Sequence, residues 1–129
     1  KEEVNQTIEM IKRLDPDNIG VSVSYPLPGT KFYDVVKDQL SDKQNWTDSN
    51  DLAMMFKGTF NQDYYTVLHS YTHKVFHQKK GFNQLKMLFT KPHKLKRTGL
   101  KSILRLPYYS FKSLQQGRSL SKMENINVR

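Results

Sequence analysis

Apolar positions recur near the start of the chain at Val4, Ile8, Ile11 and Leu14, spacings of four, three and three that predict a helix with one apolar side. Asp15-Pro16-Asp17 ends that helix, because proline disfavours helical backbone in the residue before it. The period then changes. In NIGVSVSY, Ile19, Val21, Val23 and Tyr25 alternate with Gly20, Ser22 and Ser24. Period two with β-branched residues predicts a strand, and its small second face predicts a close neighbour. In the PLPGT that follows, Pro26 and Pro28 remove backbone donors and Gly29 permits a dihedral other residues resist. Thr30 is placed to cap a helix over KFYDVVKDQL with Phe32, Val35, Val36 and Leu40 on its apolar side. Helix, strand, rigid loop and helix form the repeating unit of an α/β protein, and a solitary strand cannot satisfy its own edges.

The pattern is less regular over residues 41–60, where Trp46 precedes a polar TDSND and then LAMMFKGTF. This reads as an extended segment around Ala53–Phe56 that turns at Gly58. Asn61 predicts the N-cap of a longer helix over QDYYTVLHSYTHKVFHQKK, with Tyr64, Val67, Leu68, Tyr71 and Val75 as its docking stripe. Beyond Gly81 a short helix is expected before Pro92, another over residues 95–106, and a last piece in YYSFKSLQQ. After Gly117 the polar RSLSKMENINVR reads as frayed or disordered. The organisation predicted is therefore residues 1–40 as one α/β unit, 41–80 as an extension with one long helix, and 81–129 as a basic helical or partly disordered tail.

Charge sharpens the division. Residues 1–69 carry seven Lys or Arg against eleven Asp or Glu, and residues 70–129 carry fourteen against one. The second half is expected to attract phosphates, nucleic acid or an anionic surface unless it packs against an acidic domain. The sequence has no cysteine, which excludes disulfides, thiolate metal sites and cysteine nucleophiles within it. No stretch approaches the roughly 20 apolar residues that cross a bilayer, and the opening residues do not form an export signal.

Three constellations bear on chemistry. His69, His73 and His77 are spaced by four, as two ligands of a common ion would be, but HSYTH lacks the glutamate of HExxH. At about 100° per residue the histidines fall opposite the Leu68, Tyr71 and Val75 stripe, so they are expected to face solvent or another domain. The pairs Asp15/Asp17 and Asp48/Asp51 lack any calcium-loop frame and read as turn and cap residues. Lys79, Lys80, Lys91, His93, Lys94, Lys96, Arg97, Lys101 and Arg105 interleave with Phe82, Phe89, Tyr108, Tyr109 and Phe111. Rings amid cations suit single-stranded nucleic acid, although no recognised nucleic-acid module frames them and nucleic acid is not the expected partner.

TIEMIKRLDPD followed by NIGVSVSYPLPGTKFYDVV resembles the end of the core in radical SAM enzymes that carry a cobalamin-binding domain, including relatives of the anaerobic magnesium-protoporphyrin monomethyl ester cyclases. In that family a helix leads into the sixth barrel strand, a P-x-P-G-T loop and a further helix. The resemblance covers residues 1–40, and WTDSNDLAMMFKGTF resembles the family's C-terminal extension. It implies an α/β fold, with this chain as the C-terminal end of a partial (β/α) barrel followed by a mainly helical extension. It further implies S-adenosylmethionine, a 4Fe–4S cluster and cobalamin in a parent enzyme acting on an unknown organic substrate in the cytoplasm. The family's CxxxCxxC motif is absent here, so the chain alone is expected to be inactive and to hold no cofactor. Its partners would be the missing barrel and cobalamin domains, or a second copy at an exposed barrel edge. By the same resemblance Ser22, Ser24, Tyr25, Pro26 and Leu27 would line the cofactor site, with Pro28, Gly29 and Thr30 as the structural loop. The competing reading is a small basic module that binds nucleic acid or an acidic protein.

Overall fold

The first helix, α1 (Glu2–Leu14), has acids in its first turn and Lys12 and Arg13 in its last, matching the helix dipole at both ends. Ile8 and Ile11 are buried and Val4 is half-buried, while Leu14 lies exposed at the end. Asp15 stops the helix in the left-handed region at φ 45° and bonds back to the Ile11 carbonyl, its N–H donating at 3.2 Å. The computed structural model describes residues 2–22, 24–40 and 56–127. Among them are five α-helices, two single 3-10 turns and no strand.

The predicted α/β unit is therefore corrected. The described residues of Asn18–Tyr25 form neither helix nor ladder, and no second strand among the described residues offers them backbone partners. The alternation in the sequence is real as a burial pattern: Ile19, Val21 and Tyr25 are half-buried, whereas Gly20, Ser22 and Ser24 are exposed. What Ile19 and Val21 face is α1, in a groove of about 440 Å³ that they share with Met10, Ile11 and Leu14. One-sided burial beside a helix produces period two as a sheet does. With no strand among the described residues, the barrel and its expected open edge are absent from them too.

PLPGT forms the turn its composition predicts. Pro28 and Gly29 are the central residues, Gly29 has φ 85°, and the Thr30 N–H donates to the Leu27 carbonyl at 3.1 Å. Thr30 then caps α2 (Lys31–Val36), its hydroxyl accepting from the Tyr33 N–H at 3.2 Å. A 3-10 turn over Lys37–Gln39 continues it. Val36 and Leu40 bury themselves against Tyr25, Tyr33 and Phe56, and the Phe56 ring meets Phe32 edge-on at 5.1 Å. Val35, placed on the apolar side by sequence, points to solvent. This small cluster is separate from the remaining helices. Val23, Trp46, Asp48, Asp51 and most of the Ala53–Phe56 segment lie outside the described residues.

Asn61 caps α3 (Gln62–Thr90) by accepting from the Tyr64 N–H at 3.0 Å, and Asp63 sits in the first turn. At 29 residues this helix is roughly 43 Å long, the spine of the structure. It continues well past Lys80. On one side α1 runs alongside it in the same direction: Val4 and Thr7 meet Leu68 and Thr72, and further along Asn83 donates to the Asp15 carboxylate at 2.7 Å. Nearby, the Lys80 ammonium donates to the Asp17 carbonyl. After a turn over Pro92–Lys94, α4 (Arg97–Leu104) and α5 (Leu106–Asn127) return antiparallel along the opposite side of α3.

The α4–α5 junction is nearly seamless. The Arg105 N–H donates to the Lys101 carbonyl and the Tyr109 N–H to the Arg105 carbonyl, both at 3.1 Å, so helical bonding bridges the break. Pro107 contributes no N–H, which accounts for the interruption, and it is tolerated in the first turn of α5. The helix then runs straight through Gly117, so the frayed tail expected after that residue is instead ordered helix to Asn127.

Candidate interaction surface

The seam between α3 and the α4–α5 rod combines small and polar residues with the buried Leu106 and Leu120. Gly99, Ser102, Leu106, Ser110, Ser113, Gly117, Leu120 and Glu124 recur at threes and fours, the 3.5-residue period of antiparallel helix packing. Gly81 of α3 lies so close to α4–α5 that a Cβ on it would be 2.9 Å from Leu106 Cδ1 and 3.1 Å from the Ser102 carbonyl oxygen. Farther along, Gly117 faces the Tyr71 ring, where a Cβ would stand at 3.3 Å. Hydrogen bonds add to the burial of Leu106 and Leu120. Gln116 donates to Ser70 Oγ at 2.7 Å, Gln78 donates to Ser110 Oγ at 3.2 Å, and the Ser113 hydroxyl donates to Gln78 Oε1 at 3.1 Å. At the far end the Tyr64 hydroxyl donates to Glu124 Oε1 at 3.0 Å. Burial and the Glu124 carboxylate push the Tyr64 phenol well above its ordinary range, so it stays a donor.

The histidines sit at the margin of this seam. His69 and His73 are half-buried with ring centroids 4.6 Å apart, and His77 stacks on Tyr109 of α5 at 4.9 Å. His69 and His73 thus face each other, and only His77 among them has its ring against α5. Burial first, then the positive neighbours His69, His77 and Lys74, lowers the His73 pKa, while His77 is lowered by burial, Lys74, Lys80 and Arg105. Among the described residues no group of three or more His, Cys, Asp or Glu is placed to hold a metal ion.

Residues assigned by resemblance to a cofactor site do not converge. Ser22 lies on the α1 groove, Ser24 is exposed, Tyr25 belongs to the Val36/Leu40 cluster, Pro26 is buried and Leu27 is exposed with its carbonyl committed to the Thr30 turn. The resemblance to cobalamin-dependent radical SAM enzymes is accordingly withdrawn. The described residues form no strand where a barrel strand was required, and the sequence has no cysteine to ligate a 4Fe–4S cluster. The implied S-adenosylmethionine, iron–sulfur cluster and cobalamin, and with them the radical-enzyme function, fall with the barrel.

Leu106 and Leu120 apart, the seam is small and polar, and five large apolar side chains of α4 and α5 point away from it. Leu100, Leu104, Tyr108, Phe111 and Leu114 are all exposed, Leu104 at 80% and Phe111 at 65%. Their spacings of four, four, three and three hold them within about a third of the circumference of one helical rod. Arg97, Lys101, Arg105, Arg118 and Lys122 are exposed alongside them. Phe111, Leu114, Gln115, Arg118, Ser119 and Lys122 line a shallow groove of about 370 Å³ on this outer face. In the sequence the cations and rings form one run, and the fold separates the outward stripe from the inward seam. The separating signal is the glycine and serine repeat. Neither protein-family models, nor curated proteins, nor solved structures give a match to this chain. No helix of the described residues is long and apolar enough to cross a membrane.

Proposed function

We propose that the chain acts by docking, and that α4 and α5 attach it to an anionic partner. The observation that carries this reading is the charge on the helical hairpin: residues 64–127 hold thirteen Lys or Arg against a single acid, Glu124. That acid accepts a hydrogen bond from the Tyr64 hydroxyl. A face of one sign raises the local concentration of counter-charged partners and speeds their capture, with a steep dependence on salt. Exposed Arg97, Lys101, Arg105, Arg118 and Lys122 share the hairpin with exposed apolar side chains. Retention on a sulfated polysaccharide matrix tests the reading. The chain should bind at low salt and elute as salt rises, and the variant Arg97→Gln/Lys101→Gln/Arg118→Gln/Lys122→Gln should elute far earlier. Elution of the parent chain in the void volume at low salt would refute it.

A further inference from the structure

We infer that the anionic partner is a lipid surface, on which α4 and α5 lie in the plane of the headgroups with Leu100, Leu104, Tyr108, Phe111 and Leu114 buried among the acyl chains. This rests on the docking reading above and names its partner. Three observations point the same way.

The first is the inversion of the helix faces. In water a helix turns its large apolar residues inward, whereas here only Leu106 and Leu120 are buried, among Gly99, Ser102, Ser110, Ser113 and Gly117, and Leu100, Leu104, Tyr108, Phe111 and Leu114 are outward. Small residues at the helix contact, with serine and glutamine hydrogen bonds between helices, are the packing mode of helices whose surroundings are themselves apolar. The second is charge. The outward stripe is flanked by Arg97, Lys101, Arg105, Arg118 and Lys122 without an acid between Lys91 and Met123, which suits anionic headgroups. Long basic side chains lay their stems along the apolar layer while the charge stays at headgroup level. The groove between Phe111/Leu114 and Arg118/Lys122 sets both kinds of contact side by side. The third is length. Neither helix spans a bilayer, so an apolar face of this kind is satisfied by lying at the interface. A nucleic acid would use the cations and Tyr108 but would leave Leu100, Leu104 and Leu114 without a partner, since aliphatic chains neither stack on bases nor bond to them.

The test is co-sedimentation of the full chain with phosphatidylcholine vesicles and with vesicles in which about a third of the lipid is phosphatidylserine. Circular dichroism confirms that each variant keeps its helices. Binding is expected to the anionic vesicles only, falling about fivefold for each of Arg97, Lys101, Arg118 or Lys122 replaced by glutamine. Leu104→Ser/Phe111→Ser should lower vesicle binding by about tenfold or more while leaving retention on the sulfated matrix unchanged. Retention on the matrix without vesicle binding would overturn the lipid assignment and leave the docking reading standing. Vesicle binding that Leu104→Ser/Phe111→Ser does not weaken would also overturn it, as would binding confined to a single-stranded oligonucleotide. Loss of both matrix and vesicle binding would remove the docking reading as well.

Discussion

Replacing Gly81 with alanine isolates the close approach on which the hairpin depends. The added Cβ would lie 2.9 Å from Leu106 Cδ1, 3.3 Å from Leu106 Cβ and 3.1 Å from the Ser102 carbonyl oxygen. The Leu106 methyl can rotate aside, but the carbonyl belongs to the α4 backbone and moves only with the helix. Overpacking of this kind costs about 1–3 kcal/mol. Alanine also gains about 1 kcal/mol of helix propensity over glycine, so the net loss expected is about 1 kcal/mol. Gly117→Ala provides the internal reference. It receives the same propensity gain, while its new Cβ meets only the Tyr71 ring at 3.3 Å, a side chain that can yield. Gly117→Ala is therefore expected to be neutral or to stabilise by up to about 1 kcal/mol. Urea unfolding followed by far-ultraviolet circular dichroism reads both midpoints. If the two variants proved equally stable, or Gly81→Ala the more stable, the packing of α3 against α4–α5 described above would be wrong.

Other consequences can be checked in the same assay. Tyr64→Phe removes the bond to Glu124 and should cost about 1.5–3 kcal/mol, the range for a hydrogen bond to a charged group. Asn61→Ala removes the cap of α3 and should cost about 1 kcal/mol, most of which Asn61→Ser should restore. His73 and His77 are held below their ordinary value of 6.5, so the folded chain binds fewer protons than the unfolded one. Stability should accordingly hold above about 6.5 and be lost as pH falls through the depressed folded values. His73→Gln/His77→Gln should flatten that part of the stability–pH curve, and an unchanged slope would contradict the assignment.

Local signals were legible wherever one residue's chemistry decides the backbone. Pro28 and Gly29 specified their turn, Thr30 and Asn61 their caps, and Val4, Ile8 and Ile11 a helix, because each acts within a few residues of itself. The error at Ile19–Tyr25 was of another kind. Alternation reports which residues are covered, and α1 covers Ile19 and Val21 as a neighbouring strand would. The resemblance that implied the barrel and its cofactors needed a strand at that place. The C-terminal helices were obscured for the opposite reason: the period that packs them is carried by Gly99, Ser113 and Gly117, residues that by themselves suggest breaks and loops. Leu100, Leu104, Tyr108, Phe111 and Leu114, which do suggest a core, face outward. The candidate surface became visible only once the partner helix was in place.

The inversion of faces along α4–α5 is tested most directly by disulfide trapping, for which the absence of native cysteine leaves a clean background. An ideal Cβ on Gly81 lies 3.3 Å from the Leu106 Cβ, close to the separation a disulfide spans, whereas Leu104 is 80% exposed on the outward face. Gly81→Cys/Leu106→Cys should oxidise to an intramolecular bond and lose its free thiols while the helical signal persists, and Gly81→Cys/Leu104→Cys should remain reduced under the same conditions. Efficient bonding to position 104 and not to position 106 would place the leucine stripe inside the seam and contradict the account.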